Sequence, residues 1–321
     1  MRAIQIRQHG GPEVLRPVTL PDPQPGPGQA VVKLGAIGVN FVDIYGRKGW
    51  YPTPLPWIPG AEGAGQVVAV GPDVQEVRVG ERVAFAMAQA AYAELVAVPA
   101  WRLVPIPPQL TDRQAAAAML QGMTARYLTH LTYPVHPGDY VLVHAGAGGV
   151  GLLLLQMAKR LGATVLTTVS TPEKAELARQ AGADHVILYT AVDFAREVDA
   201  ITGGRGVQVV YDAVGQATFD QSLACLASRG YLVLYGQASG PVPPLELGRL
   251  AQRSLFLTRP SLAHYTETRQ MLLDLAQAVL TDVAQGRLTL RIFETLPLEE
   301  AETAHRHLES RLSTGKILLI P

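Results

Sequence analysis

Tyr140-Val-Leu-Val-His-Ala-Gly-Ala-Gly-Gly-Val-Gly151 is the segment from which the architecture of this chain can be worked out. It is typical of a short buried strand, a glycine-rich turn and a helix over about residues 150–161. Gly146, Gly148 and Gly151 have the G-x-G-x-x-G spacing of a dinucleotide-binding turn, where small residues allow a tight turn and close approach to a pyrophosphate. Backbone N–H groups and the positive end of the helix dipole would face the phosphates. The chain has 31 glycines, so this spacing can also occur by chance. The alternative is therefore an ordinary strand-to-helix turn that binds no nucleotide.

The segments that follow repeat this strand–helix alternation. Short apolar runs predict strands over residues 164–168, 185–188, 207–211 and 231–235, with helix-length segments between them. One helix is expected to begin at Pro172, a residue suited to a first helical position, and Gly182 is placed to end it. Alternating strands and helices predict a doubly wound, Rossmann-type α/β domain whose parallel sheet is covered on both faces. Ligands then bind outside the carboxyl ends of the strands.

The second predicted strand indicates which dinucleotide is bound. An NAD site usually has an acidic residue about 20 positions after the glycines, which binds the ribose 2′-hydroxyl. The corresponding segment here ends in Ser170-Thr-Pro-Glu-Lys174, with hydroxyl groups and a lysine instead. We therefore expect NADPH as the cofactor. The alternatives are that Lys174 lies on a solvated helix face and that Glu173 turns inward to the ribose.

Length and composition restrict the remaining possibilities. A chain of 321 residues is typical of two domains, and 48% hydrophobic with 17% charged residues suits a globular protein. The 27 basic and 27 acidic residues balance, so no net charge attracts nucleic acid or a membrane surface. Cys225 is the single cysteine and is expected to be an inert core residue. Met1–Gly10 lacks the apolar core of a signal peptide, and no apolar run is long enough to span a bilayer, so a cytoplasmic location is expected.

Residues 1–120 have a different pattern from the central part. Short strand-like runs such as 30–34 and 65–70 are interrupted by proline and glycine clusters, which predicts a β-rich domain. The segment 21–28 contains four prolines and cannot lie inside a helix or a central strand, so it is expected to be a surface crossover. A helix is expected to begin near residues 115–118.

Several motifs across the chain resemble one family. They are Gly38-Val-Asn-Phe-Val-Asp-Ile-Tyr45, Tyr51-Pro, Pro59-Gly-Ala-Glu62, Gly80-Glu-Arg-Val83, Ala145–Gly151, Leu308-Glu-Ser-Arg311 and Leu318-Leu-Ile-Pro321. In this order they resemble the zinc-independent, zeta-crystallin-like quinone oxidoreductases of the medium-chain dehydrogenase/reductase superfamily. The resemblance implies a GroES-like catalytic domain over residues 1–122 and 260–321, and a Rossmann NADP-binding domain over 123–259. It also implies reduction of quinones by hydride transfer from NADPH.

The same motifs bear on whether a metal takes part. The superfamily's alcohol dehydrogenases hold catalytic zinc with a Cys in the first motif, a Gly-His-Glu and a later Cys or Asp. This chain has Asn40 and Ala61 at the first two ligand positions, and Glu62 alone is not a site, because catalytic zinc needs about three converging ligands. His305 and His307 are two residues apart on a predicted helix and so point in different directions. We therefore expect no metal.

Four residues are candidates for the catalytic site. Asn40 has an amide that can orient the nicotinamide or the substrate oxygen, and the resemblance places it beside the nicotinamide; its alternative role is that of a turn residue. Tyr45 and Tyr51 can each offer a flat quinone an aromatic face and a phenol, although a core or interface tyrosine is the alternative for either. Asp43 is expected to hold the loop by hydrogen bonds more than to act as an acid.

The resemblance also assigns the cofactor contacts. The residues concerned are Asn40, Thr124, Gly146, Gly148, Gly149, Val150, Gly151, Ser170, Lys174, Tyr189, Gly236, Gln237, Ser261 and Arg311. Among them, Ser170 and Lys174 match the 2′-phosphate side, and Thr124 matches the nicotinamide end. Gly236 and Gln237 follow the fifth strand, as the switch-point rule expects. The alternative for Arg311 is that it is a charged surface residue.

Three functions remain open at this level. The first is reduction of quinones by NADPH. The second is reduction of alkenals, enones or enoyl thioesters, which needs the same hydride geometry with a different pocket. The third is a non-enzymatic, crystallin-like structural or RNA-binding role, which the neutral charge balance disfavours. The segment 256–258 can be an edge strand, and the resemblance implies a homodimer through such an edge.

Overall fold

The structure, a computed structural model, describes residues 1–321 in two compact units. Unit 1 comprises Met1–Met123 and Thr266–Pro321, and unit 2 comprises Thr124–Tyr265. Unit 1 is therefore built from both ends of the chain, and unit 2 is inserted between them. The predicted domain limits, 1–122 with 260–321 and 123–259, stay a prediction. None of the helices is both long enough and apolar enough to cross a membrane.

The first half of the chain is mostly strand. Its elements are β1 (Arg2–Gln5), β2 (Arg16–Thr19), β3 (Gln29–Val39), α1 (Phe41–Arg47), β4 (Glu62–Val70), β5 (Arg82–Ala86), β6 (Leu95–Pro99), β7 (Val104–Pro105) and α2 (Asp112–Tyr127). The proline-rich segment 21–28 lies outside every strand and helix, as predicted. Helix α2 begins a few residues before the predicted position, and it continues into a π-helical turn over Leu128–Thr132.

Unit 2 alternates strands and helices, as the apolar runs predict. The elements are β8 (Tyr140–His144), α3 (Gly149–Arg160), β9 (Thr164–Val169), α4 (Pro172–Gln180), β10 (His185–Leu188), α5 (Phe194–Thr202), β11 (Val207–Asp212), α6 (Phe219–Ala224), β12 (Leu226–Leu234), α7 (Gly248–Ala251) and β13 (Phe256–Thr258). The chain then returns to unit 1 with α8 (Arg269–Ala284), β14 (Ile292–Pro297), α9 (Ala301–Glu309) and β15 (Lys316–Ile320).

The sheet of unit 2 confirms the doubly wound prediction. Its six strands run in the order β10-β9-β8-β11-β12-β13, and every neighbouring pair is parallel. This is the Rossmann strand order, in which the order reverses between β8 and β11. Strands buried on both faces are near-continuous apolar runs, which is why they can be recognised from the sequence. One apolar core joins this sheet to its helices: Leu142 and Leu232 of the strands belong to the same cluster as Val198 of α5 and Leu223 of α6.

The larger sheet of unit 1 joins the two ends of the chain. Its order is β14-β15-β3-β4-β5-β7, and β6 also pairs with β3. Strands β14 and β15 are parallel, while β15 pairs antiparallel with β3, so the last strand of the chain lies beside the long third one. Side chains from both chain segments fill one core, with Val32 and Phe85 beside Leu298 and Ile317. This mixed, mostly antiparallel sheet is the GroES-like part of the fold.

Cys225 is buried, and His305 and His307 lie in different environments, as their positions in the sequence predict. Cys225 ends α6 and is buried, and burial raises the pKa of its thiol to about 12, so it is an inert core residue. His305 and His307 on α9 point in different directions: the first is fully buried, and the second is half-exposed against Glu294.

Candidate functional site

The glycine-rich turn lies at the switch point of the parallel sheet, between β8 and α3. A side chain at Gly146 would overlap the Thr167 hydroxyl, and one at Gly151 would overlap the Ala145 carbonyl oxygen. These two glycines are therefore required for the turn to pack on its own sheet. At Gly148, by contrast, an added Cβ would meet only the Ala145 carbonyl oxygen, at 3.1 Å, a tight contact that a shift of a few tenths of an ångström would relieve.

The start of α3 is suited to binding an anion. Gly148 is the residue that precedes the helix, and no side chain caps this end. The first helical hydrogen bond runs from the Leu152 N–H to the Gly148 carbonyl at 2.9 Å. The N–H groups in the first turn of a helix lack partners of their own and carry the positive end of its dipole. The residues of this turn thus fit the pyrophosphate of a dinucleotide.

Two neighbouring strand ends bring polar groups together beside this turn. The Lys174 ammonium lies 3.3 Å from the Ser170 hydroxyl, and Thr171 accepts the Lys174 backbone N–H at 3.3 Å, which fixes the start of α4. Tyr189 follows β10 and is 43% exposed. Glu173 is exposed, and its hydrogen bond with Thr171 lowers the pKa of its carboxyl group. The hydroxyl and ammonium pair fits a phosphate, while Glu173 is engaged locally.

A buried carboxylate organises the loop after β11. The Asp212 carboxylate accepts the N–H groups of Val214 and Gly215 at 2.7 and 3.0 Å and the hydroxyls of Thr218 and Ser222 at 2.7 and 3.1 Å. Since the Ser222 hydroxyl donates to Asp212, its oxygen accepts from His144 Nε2, 3.0 Å away. Burial lowers the pKa of His144, which holds this histidine neutral. The network ties the ends of β8 and β11 together.

The segment after β12 is held by an arginine that sequence reasoning did not single out. Arg259 Nη2 donates to the Gln237 side-chain oxygen at 2.8 Å, and Nη1 lies 3.4 Å from the Gly236 carbonyl oxygen. Gln237 is buried, and a side chain at Gly236 would come within 2.6 Å of the Ala213 carbonyl oxygen. Gly236 and Gln237 therefore lie at the carboxyl edge of the sheet, where the switch-point rule puts ligands.

Within unit 1, the start of α1 carries two of the candidate catalytic residues. Asn40 precedes the helix, and Asp43 in its first turn accepts the Asn40 backbone N–H at 2.9 Å. Both side chains are buried. The Asn40 amide donates to the Gly38 carbonyl at 3.1 Å and to the Glu62 carboxylate at 2.9 Å, and its oxygen accepts from the Lys316 ammonium at 2.8 Å. Both amide hydrogens of Asn40 are therefore used inside unit 1.

A chain of buried polar groups continues from Asp43 to α9. Arg47 Nη1 donates to His305 Nδ1 at 3.2 Å, because a guanidinium can only donate. The imidazole proton is therefore on Nε2, which donates to the Tyr92 oxygen at 2.9 Å, and the Tyr92 hydroxyl donates to Asp43 at 3.2 Å. Burial raises the pKa of Asp43 to about 7, and burial together with Arg47 lowers the pKa of His305 to about 3.

The two candidate tyrosines belong to an aromatic cluster after α1. Tyr45 stacks on Trp50 with 5.5 Å between ring centroids, meets Tyr51 edge-on at 5.5 Å, and lies 6.0 Å from Phe41. Tyr45 is only 5% exposed, whereas Trp50 and Tyr51 are each 38% exposed. The cluster thus has a buried centre and two accessible aromatic rings. A flat conjugated molecule can stack on such rings.

The remaining candidates are placed separately. Thr124 is buried where α2 enters unit 2, and Ser261 follows β13 half-buried. Arg311 belongs to unit 1, is exposed, and has a φ of 60° just after α9. For these three, as for Asn40, Tyr45 and Tyr51, contact with a cofactor or acceptor stays a prediction.

The residues at the zinc positions of the alcohol dehydrogenases have other partners here. Ala61 offers no ligand atom, and the Asn40 amide is used as described above. Glu62 pairs with the Lys316 ammonium and accepts the Leu120 backbone N–H. The described residues contain no group of three or more His, Cys, Asp or Glu that could hold a metal ion. The donor set at these positions does not fit zinc.

Lys316, Tyr92 and Arg47 of unit 1, like Arg259 of unit 2, are site residues that the sequence analysis missed. Lys316 begins the apolar run Lys316-Ile-Leu-Leu-Ile320, and a lysine within a strand buried on both faces is unusual enough to have been noticed. Arg47 and Tyr92 gave no such signal, because their partners on α9 are more than 200 residues away in the chain.

Comparison with known proteins agrees with this geometry. The chain matches the alcohol dehydrogenase GroES-like domain over residues 26–108 and the zinc-binding dehydrogenase family over residues 149–278. It is 45% identical to the quinone oxidoreductase of Pseudomonas aeruginosa, with 100% of this chain and 99% of that protein covered. It is 44% identical to the 2-haloacrylate reductase of a Burkholderia species, with 99% and 98% covered.

The solved structures include a near match over the full length. The crystal structure of Escherichia coli quinone oxidoreductase complexed with NADPH superposes with a TM-score of 0.98 at 42% identity, and 100% of each chain is covered. Identity at this level over whole chains, with the same two-part fold, shows the family. The chain belongs to the quinone oxidoreductase family of the medium-chain dehydrogenase/reductase superfamily.

Proposed function

We propose that this protein reduces quinones by hydride transfer from NADPH, without a metal ion. The observation that carries the proposal is the uncapped, glycine-bounded start of α3 at the switch point of a Rossmann sheet, with Ser170 and Lys174 at the next strand end. An Escherichia coli relative of the same fold was solved with NADPH bound. Relatives across the full chain length carry the name quinone oxidoreductase.

Each part of the cofactor has residues of suitable chemistry in unit 2. The N–H groups of Gly149, Val150 and Gly151 would hold the pyrophosphate. The Ser170 hydroxyl and Lys174 ammonium would hold the 2′-phosphate, and Tyr189 would lie by the adenosine. Thr124, Gly236, Gln237 and Ser261 would line the nicotinamide half, and Arg311 is the last of the proposed cofactor contacts. When bound, the nicotinamide supplies the hydride.

The acceptor side is proposed to lie at α1. Asn40 would lie beside the nicotinamide, Tyr45 and Tyr51 would line the pocket for a flat acceptor, and Asp43 would hold the loop. A conjugated quinone absorbs the incoming charge itself, so the residues mainly need to orient the acceptor and exclude water. In this proposal, residues 1–122 and 260–321 are the catalytic domain and 123–259 the NADP-binding domain.

The cofactor assignment is tested with Lys174→Ala. Removal of a charged contact to phosphate costs about 1.5–3 kcal/mol, so KM for NADPH is expected to rise about ten- to hundredfold while KM for NADH changes little. Lys33→Ala, at an exposed lysine on β3, is the matched control and should leave both constants unchanged. The measurement is steady-state kinetics with both cofactors. An unchanged ratio of the two specificity constants would remove Lys174 from the site.

Reduction of activated alkenes is the second candidate, because the 2-haloacrylate reductase of the Burkholderia species is 44% identical over nearly the full chain. A screen of NADPH oxidation over quinones, enones, alkenals, enoyl thioesters and 2-haloacrylate separates the two. We expect the highest kcat/KM with a quinone. A higher kcat/KM with an activated alkene would make alkene reduction the better proposal, and NADPH binding without turnover of any acceptor would favour a non-enzymatic role.

A homodimer and a cytoplasmic location complete the proposal. The support for the dimer is β13, which is the last strand of the parallel sheet and leaves one edge unpaired. Phe256 and Leu257 on this strand are 48% and 37% exposed. An exposed apolar edge strand is a ready template for pairing with a second chain. The location rests on the expectation from the sequence, and cell fractionation tests it.

A further inference from the structure

Lys316 has one of the most enclosed side chains in unit 1, and its ammonium has two hydrogen-bond partners. The residue is 1% exposed, and Glu62, with which it pairs, is 0% exposed. Its ammonium donates to the Asn40 amide oxygen at 2.8 Å and to the Glu62 carboxylate. A side chain at Gly38 would overlap Glu62 and come within 2.8 Å of Lys316 Cε, so this glycine provides the space for the pair.

These contacts determine which way the Asn40 amide points. An ammonium only donates and a carboxylate only accepts, so the amide oxygen must face Lys316 and the NH₂ group must face Glu62. A flipped amide would put two donors against each other and two acceptors against each other. Lys316, with Glu62 on the opposite side of the amide, thus makes one orientation of Asn40 strongly preferred, and Asn40 is the residue that precedes α1.

We propose that Lys316 is a positioning residue of the reductase site, which acts through Asn40 on α1. The ammonium fixes the amide of Asn40, and the Asn40 backbone exchanges two hydrogen bonds with Asp43 in the first turn of α1. This helix contains Tyr45 and leads into Trp50 and Tyr51. This inference rests on the proposed function, in which α1 borders the acceptor. Glu62 supports this role: its carboxylate accepts from the Asn40 NH₂ group, compensates the buried ammonium and accepts the Leu120 N–H of α2.

The double variant Lys316→Met/Glu62→Gln removes both buried charges together, so that neither is left uncompensated. Its melting temperature is expected to stay near that of the wild type, while kcat with the quinone falls about ten- to hundredfold, because Asn40 loses a donor that carries a charge. The single variant Glu62→Gln leaves the buried Lys316 ammonium without its counter-charge, so its melting temperature is expected to fall below that of the double variant. Lys33→Met is the control at an exposed lysine.

Action through Asn40 is tested by combining variants. If Lys316 works through Asn40, the triple variant that adds Asn40→Ala will have the same kcat as Asn40→Ala alone, because the two losses are not additive. Additive losses, or a folded double variant with wild-type kcat, would overturn the proposal.

A second readout does not depend on turnover. Amide hydrogen exchange in Phe41–Arg47 is expected to be about tenfold faster in the double variant, with β8 and β9 of unit 2 unchanged. If the wild-type protein reduces no quinone, the proposed function fails, and exchange alone then decides whether Lys316 holds α1. Unchanged exchange in this helix would overturn the inference in either case.

Discussion

At the scale of single residues, the buried polar groups of unit 1 have a fixed direction of hydrogen bonding. Arg47 can only donate, so His305, Tyr92 and Asp43 follow in one order. The order has a consequence for titration, because a proton added to His305 Nδ1 would face the guanidinium directly. Asp43 titrates in the opposite sense, since burial favours its neutral form.

The stability of the protein is expected to depend on pH through His305. Its pKa is lowered from 6.5 to about 3 by burial and by Arg47, so between these values the unfolded state binds a proton that the folded state does not. The free energy of unfolding therefore falls as pH decreases from 6.5 to 3, by roughly 3 kcal/mol at pH 4. His305→Gln removes this contribution, and urea unfolding of wild type and variant from pH 4 to 8 measures it.

Two other groups need to be separated from this effect. Asp43, with its pKa raised to about 7, contributes stability that is present at low pH and lost as pH rises from about 4 to 7. It opposes His305 in the wild type, and its contribution has the opposite slope with pH, so it is present in both wild type and His305→Gln. His307→Gln, at the half-exposed neighbour, is the control and should keep the wild-type slope. Parallel slopes for wild type and His305→Gln would contradict the assignment.

At the scale of elements, the starts of α1 and α3 have opposite designs. Helix α1 begins with buried side chains that satisfy its first turn, and α3 begins with glycines and no side-chain cap. A helix start that is left uncapped and partly exposed is available to an external anion. The glycines of the turn therefore differ: a side chain at Gly146 or Gly151 would overlap neighbouring atoms, whereas one at Gly148 would make a single tight contact.

We expect Gly146→Ala and Gly148→Ala to separate stability from cofactor binding. At Gly146 the new methyl would overlap Thr167, which should lower the melting temperature by about 3–8 °C. At Gly148, φ of −74° and ψ of 169° suit alanine and the one close contact is at 3.1 Å, so the melting temperature should fall less than in Gly146→Ala while KM for NADPH rises about tenfold or more. Thermal melts and NADPH titration check both. Equal behaviour of the two variants would refute this division.

At the scale of the whole molecule, what could be predicted depends on how far apart interacting residues lie in the sequence. The parallel sheet of unit 2 was predictable, because each strand is an apolar run of its own and each strand–turn–helix unit is local. The register of the unit 1 sheet was not, since β15 pairs with β3 across most of the chain. The Lys316 pair with Glu62 spans 254 residues, and its bond to Asn40 spans 276. The sequence motifs therefore pointed to Asn40 and Glu62 but not to Lys316, whose ammonium binds both side chains.

The edge strand β13 provides a prediction for the whole molecule in solution. Pairing of two such edges would continue the parallel sheets of two chains into one, and bury Phe256 and Leu257. We expect light scattering after gel filtration to give twice the chain mass of 34.4 kDa. Phe256→Lys puts a charge at this edge and is expected to shift the protein to the monomer mass. Charged residues are a common means of keeping edge strands from pairing.

Phe293→Lys is the matched control for this experiment. Phe293 is 38% exposed on β14, the edge strand of the other sheet, so it changes the same residue type in a similar setting without touching β13. The control should remain dimeric. Because Phe256 also stacks on Tyr231 with 4.4 Å between ring centroids, the melting temperature of Phe256→Lys must be followed, and its mass compared at a temperature where it is folded. A monomeric wild type would show that β13 does not pair with a second chain. A Phe256→Lys variant that is folded and still dimeric would show that the dimer forms through another surface.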